Sequence, residues 1–166
     1  MKKISTKLLT RTALIAAIYA VMTIAIAPLS YGAIQFRISE ILVLFAFVDD
    51  DYIPGLILGC VLANLYSTLG MMDVIFGSMA TAIAVMGISL IKKVLGQNLK
   101  SLFIASLSPV VINGVIIGML LKIVYNVPFM IGAFQVAVGE FVVVSIAGVV
   151  IFKSILESNL KEILAN

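Results

Sequence analysis

The chain has no histidine and only one cysteine, Cys60, among its 166 residues. No disulfide can form within it, and no His/Cys zinc site can be assembled. It contains neither a G-x-x-x-x-G-K-[ST] phosphate loop nor a G-x-G-x-x-G turn. Nucleotide hydrolysis is therefore not expected of it, nor a bound cofactor. An enzyme is not expected either, because histidine is missing and the acidic residues have no evident nucleophile beside them. Charge is scarce as well: charged residues make up 11%, against about a quarter in an ordinary soluble domain. The net charge of +3 is small, and no nucleic-acid partner is expected.

What is present is apolar. Hydrophobic residues make up 63%, against about half in a soluble domain. A soluble chain of this length could not hide so much apolar surface, because small domains keep a large surface-to-volume ratio. The expected solvent is the lipid bilayer, and the expected fold is all-α: one transmembrane domain built as a six-helix bundle. The helices are expected over about 8–29, 37–48, 53–68, 73–91, 102–124 and 132–155. The second is short. Its twelve residues reach only about 18 Å at the helical rise, so it must be tilted, shielded or partly re-entrant. Asp49, Asp50 and Asp51 end it. The tail Leu156–Asn166 alternates charge with Leu and Ile and reads as an amphipathic end at the membrane surface. The N-terminus partly fits a cleaved signal peptide, with basic residues, an apolar run and Ala25-Ile26-Ala27. The run continues without a polar cleavage region, however, and Pro28 would sit just after the cut, so an uncleaved first helix is expected.

Basic residues set the orientation. With the N-terminus inside, the cytoplasmic segments hold Lys2, Lys3, Lys7, Arg11, Lys92, Lys93, Lys100, Lys153 and Lys161, nine of the eleven Lys and Arg residues. Only Arg37 and Lys122 remain for the outer half. This bias fits six crossings with both termini cytoplasmic. Small residues recur four apart at Ala13/Ala17, Ala16/Ala20, Gly55/Gly59 and Gly114/Gly118, a spacing that lets helix backbones come close. Packing inside the bundle and docking to another subunit both explain it. Docking is most attractive for the first helix, whose Ala stripe is long and carries no polar group.

Sorting the acids leaves a remainder. Glu40, Asp73 and Glu140 fall in or at the edge of apolar helices, toward the outer half. A charge at mid-membrane costs about 2.5–3.5 kcal/mol on the insertion scale, so three of them call for an explanation. Arg37 stands three residues before Glu40, on the same helical face, and a closed structural network would pair the two. The amides Gln35, Asn64 and Asn113 join them; Gln135, five residues before Glu140, need not share its face. Acids outnumber bases in this set. An acidic, amide-rich pocket suits a solute with several hydrogen-bond donors or a positive charge. Tyr31, Phe36, Tyr66 and Phe76 lie near in sequence. They could sandwich a flat ring or form an interfacial belt.

At these residues the sequence resembles a known family. The stretch from Tyr31 to Glu40 is similar to the signature of the QueT family, the substrate-binding S components of energy-coupling-factor vitamin transporters. Ile53-Pro54-Gly55-Leu56 through Ala63-Asn64-Leu65, Asp73 through Gly77-Ser78, Pro109 through Asn113-Gly114, and Gly139-Glu140 also fit, in order, while residues 41–52 are less typical. The resemblance implies a six-helix bundle in a bacterial plasma membrane. Solute would be held near the outer face, under the loop after the first helix. It also implies docking, through Ala13, Ala17, Ala16 and Ala20, to a transmembrane T component driven by two ATPase subunits, which would use the ATP. The solute it implies is a queuosine precursor, a 7-deazaguanine such as the 7-aminomethyl form. A carboxylate can accept the ring N–H and exocyclic amine of such a base together, a role expected of Glu140. Asn64 and Asn113 would serve the remaining polar atoms, Glu40 or Asp73 would meet the amine or orient Arg37, and Phe36 or Tyr31 would cover the ring. An S component for another small vitamin or cation, and a ligand-free membrane assembly subunit, are the alternatives.

Overall fold

The structure is a computed structural model that describes residues 6–158 apart from residue 33. Most of the expected amphipathic tail, and with it Lys161 and Glu162, lies outside the described residues. Among those described, every regular element is helical. Six rods follow one another: α1 (Thr6–Ala25), α2 (Ile38–Val48), α3 (Ile53–Asn64), α4 (Asp73–Leu95), α5 (Leu99–Tyr125) and α6 (Phe129–Leu156). Of these, α1, α4, α5 and α6 are long and apolar enough to cross a membrane. α2 is a 3-10 stretch of 7 residues continued by an α-turn of 4, about 20 Å in all. α3 has 12 residues and reaches only about 18 Å.

The boundaries differ from expectation for local reasons. α1 stops at Ala25 rather than near 29, because Pro28 cannot continue the hydrogen-bond ladder and instead sits in a separate turn, Ala27–Ser30. α3 ends at Asn64 rather than 68. The Asn64 side chain donates to the Asp73 carbonyl at 3.0 Å, and turns at Tyr66, Ser67 and Gly70 fill the space between. α5 starts three residues early because Asn98 caps it. The Asn98 side chain accepts from the Ser101 amide, and the Ser101 hydroxyl accepts from the Asn98 amide.

Lipid offers no hydrophobic drive between helices, so contact depends on how closely they pack. Gly59 of α3 lies so near α1 that an added Cβ would fall 2.7 Å from the Tyr19 Cβ and 3.0 Å from the Ala16 Cα. At Gly118 of α5 it would fall 2.7 Å from the Ala133 backbone of α6. The small residues on α3 and α5 thus serve the bundle's own packing. The α1 stripe divides: Ala16 and Ala20 are buried inside, whereas Ala13 and Ala17 are exposed. The expectation that this stripe carries no polar group fails on its inner side, where Tyr19 and Thr23 are fully buried. The main core joins Tyr19, Leu44, Phe47, Leu56, Ile88, Leu102 and Phe152. The outer surface is apolar, with Val21, Val111, Met130 and Phe134 all well exposed.

At one end of the bundle two of the three aspartates meet basic residues. Arg11 of α1 reaches Asp49 at 3.4 Å, and Lys92 and Lys93 of α4 hold Asp50 at 2.6 and 2.8 Å. The Gln97 side chain donates to the Phe47 and Val48 carbonyls, closing the end of α2. The other end holds the loop that joins α1 to α2.

Candidate functional site

Six elements deliver buried polar side chains to one region: the loop before α2, α2 itself, α3, α4, α5 and α6, with α1 behind them. Arg37, Glu40, Asn64, Asp73, Asn113, Glu140 and Gln35 are all buried. The loop is brought there by its backbone. Gln35 has a positive φ of 52°, unusual for a residue with a side chain. The chain turns so that the Ile34 and Gln35 carbonyls lie against Gly139, where a Cβ would be 2.3 Å from the Ile34 oxygen. A glycine at 139 is the condition for the loop to rest on α6, beside Glu140.

Arg37 pairs with Asp73, not with Glu40. Its Nη2 donates to Asp73 Oδ2 at 2.8 Å, 36 residues away in sequence. The three-residue spacing to Glu40 misled because Arg37 is not helical: it precedes the 3-10 turn with φ −87° and ψ 91°. Glu40 is held instead by the Tyr19 hydroxyl, which donates to Oε1. Behind them Thr23 shares a hydrogen bond with Ser39 at 2.6 Å and donates to the Tyr19 carbonyl at 2.8 Å. Asn64 donates to the Asp73 carbonyl and, at 3.2 Å, to Ser78. Asp73 needs Gly77 one turn on, since a Cβ there would lie 2.1 Å from Asp73 Oδ1. On the other side Asn113 of α5 donates to Glu140 Oε1 at 2.7 Å.

Both acids on the long helices sit where the helix changes register. α4 opens with a π-helical turn, Asp73–Gly77, and α6 becomes π-helical at Phe141–Gly148, directly after Glu140. The wider π turn redirects side chains and recurs at functional sites.

The network is not closed. Among the described residues, five buried side-chain atoms have no hydrogen-bond partner: Arg37 Nε, Glu40 Oε2, Asn64 Oδ1, Asp73 Oδ1 and Glu140 Oε2. Folded proteins satisfy nearly all such atoms. All five belong to residues singled out from the sequence. Tyr31 forms one wall, with the Arg37 guanidinium 5.5 Å above its ring and its hydroxyl donating to the Ala63 carbonyl at 2.6 Å. Tyr31 also lines a cleft of about 330 Å³ with Gly32, Thr68, Tyr125 and Gln135, a volume at the lower end of small-molecule sites. Phe36 packs on the main core. Tyr66 and Phe76 are exposed and do not join the cluster.

The sequence profile of the QueT transporter family matches residues 9–157. The chain belongs to the QueT transporter family. A curated relative from Lactococcus lactis subsp. cremoris (strain MG1363), "Queuosine precursor transporter QueT", is 33% identical over 150 residues, covering 85% of this chain and 88% of the relative. No solved structure matches the chain. This QueT family member is accordingly a multi-pass plasma-membrane transport protein and not an enzyme.

Tyr19 is the member of the site that the sequence did not single out. A helical period carries a signal for it, because Tyr19 and Thr23 stand four apart on the face that also bears Ala16 and Ala20.

Proposed function

We propose that this QueT family member is the substrate-binding S component of an energy-coupling-factor importer. It takes up a 7-deazaguanine queuosine precursor from outside and delivers it inward with a T component and two ATPase subunits, which use the ATP. The chain crosses the membrane six times with both termini cytoplasmic, and the Arg37 end faces out. The observation that carries this reading is the set of five orphaned atoms. Four are acceptors and one is a donor, so the complementary solute is rich in N–H groups and offers an acceptor to Arg37 Nε. A 7-aminomethyl-7-deazaguanine has that pattern: a ring N–H, an exocyclic amine and an ammonium, with one carbonyl. The name of the Lactococcus relative points to the same solute class.

Glu140 takes the ring N–H and the exocyclic amine. Oε2 is open, and Oε1, although engaged by Asn113, keeps a second lone pair. Asn113 fixes that carboxylate, Asn64 Oδ1 accepts a further N–H, and Gln35 lines the loop above. Glu40 Oε2 and Asp73 Oδ1 meet the ammonium. Arg37, held by Asp73, donates to the carbonyl, and Tyr31 covers the ring. Burying such groups against an analogue that lacks the donors leaves them unpaired, and this supplies selectivity.

Mass spectrometry of solute released from the purified protein tests the reading. A deazaguanine is expected, and a different vitamin or no solute would overturn it. Partner docking is tested separately. Ala13 and Ala17 stay exposed, so Ala13→Leu with Ala17→Leu should abolish uptake in cells while the purified chain still binds solute; unimpaired uptake would remove them from the docking surface.

A further inference from the structure

The Asp50 end carries a second feature, remote from the solute site. A hollow of about 200 Å³ at the junction of α4, α5 and α6 is lined by Gln97, Asn98, Leu99, Lys153, Leu156 and Glu157. It adjoins a larger groove of about 540 Å³ that runs between α5 and α6 over Phe103, Ile104, Val149 and Val150. Leu99 and Lys153 line both, and Lys100 stands on the rim of the groove. The combined shape is amphiphilic: a polar cup, two ammonium groups at the junction, then an apolar trough on the lipid-facing surface.

The charges at this end are unevenly committed. Arg11, Lys92 and Lys93 are engaged by Asp49 and Asp50. Among the described residues Lys100 has no carboxylate partner, and Lys153 has only a loose contact at 3.9 Å with Glu157, just past the end of α6. The start of α5 adds the positive end of a 27-residue helix at the same spot.

The geometry points to an anionic phospholipid as the occupant. Its phosphate lies between Lys100 and Lys153 at the α5 N-terminus, and one acyl chain fills the Phe103–Val150 trough. Its headgroup hydroxyls enter the cup and donate to Glu157. A basic pocket between membrane helices recognises such headgroups by charge, and the trough supplies the apolar contact that a free phosphate ester cannot use. Lys122, the basic residue near the opposite end of α5, lies outside this site and serves as a control.

Native mass spectrometry of the full chain in detergent, with phosphatidylglycerol or phosphatidylcholine of identical acyl chains, tests this. Wild type is expected to retain phosphatidylglycerol with about a tenfold preference. Lys100→Gln with Lys153→Gln should lose the preference, and Val150→Trp should weaken retention of both lipids by filling the trough. Lys122→Gln should behave as wild type, and glycerol 1-phosphate should not compete. Circular dichroism confirms that each variant is folded. Equal retention of the two lipids by wild type would overturn the proposal. So would full preference in the double lysine variant, unchanged retention in Val150→Trp, an equal loss in Lys122→Gln, or competition by glycerol 1-phosphate.

Discussion

The two ends of the bundle handle charge in opposite ways. Around Asp50 the ion pairs are partly exposed and mutually satisfied: Asp50 receives Lys92, Lys93 and Ser89, and the Asp50 side chain is 38% exposed. At the Arg37 end the charges are buried and incomplete, with Asp73 fully buried and five atoms left without partners. A pairing that is complete by itself fastens helices together. Buried groups that satisfy only part of their capacity are costly to keep, and their persistence is explained by a solute that completes them. The first end is a clasp among α1, α2 and α4, and the second is the proposed solute receptor.

Four substitutions test the contrast between the two ends. The largest effect is expected at Asp73→Ala, which strands the Arg37 guanidinium in the interior. Removing one partner of a buried pair costs about 3–5 kcal/mol, so both the thermal transition in detergent and solute binding should collapse; a normal melting curve would show that Arg37 is not held as described. Next is Glu140→Gln, which keeps the shape and removes the charge. Binding should weaken by about ten- to a hundredfold with little change in melting, and equal loss of both would mark Glu140 as structural. Gly77→Ala comes third, because a methyl group 2.1 Å from Asp73 Oδ1 must displace the carboxylate. Overpacking costs about 1–3 kcal/mol, and a weaker binding constant measured by calorimetry is the expected signature. The smallest effect is expected at the clasp. Asp50→Asn should lower stability by no more than about 1 kcal/mol, since solvent screens half-exposed pairs, and should leave binding untouched.

The clasp also has a pH signature. Burial alone would raise the Asp50 carboxyl, but hydrogen bonds from Lys92, Lys93 and Ser89 outweigh it and lower the group from 3.8 to about 2. A group lowered in the fold contributes stability that is fully present above its ordinary value and fades as pH falls from about 4 toward 2. Melting curves of wild type should therefore approach those of Asp50→Asn across that window, and a constant gap would contradict the pairing.

Much of the candidate site was legible in the sequence because lipid makes charge conspicuous. Glu40, Asp73, Glu140 and Arg37 stand out in apolar helices, and Asn64 and Asn113 stand out as amides there. The partnerships were less legible. Arg37 meets Asp73 through the tertiary fold, and an i, i+3 rule could not see that Arg37 lies outside the helix. Tyr19 reads as one more aromatic in an apolar run until Glu40 is placed against it. The π turns after Glu140 and at Asp73 leave no mark on hydrophobic periodicity, because these helices are apolar on nearly every side. Helix ends followed local chemistry: Pro28, the Asn98 cap and the Asn64 side chain moved them by a few residues each. The family signature located the glycines, and the structure explains two of them: Gly77 makes room for the Asp73 carboxylate and Gly139 for the Ile34 carbonyl.

In the proposed function the Arg37 end, and not the Asp50 end, receives the solute. Calorimetric titration of 7-aminomethyl-7-deazaguanine into wild type, Glu140→Gln and Asp50→Asn, run side by side, tests it most directly. One site per chain is expected in wild type, with the same affinity in Asp50→Asn and binding weakened at least about tenfold in Glu140→Gln. Undiminished affinity in Glu140→Gln, or a loss confined to Asp50→Asn, would contradict it.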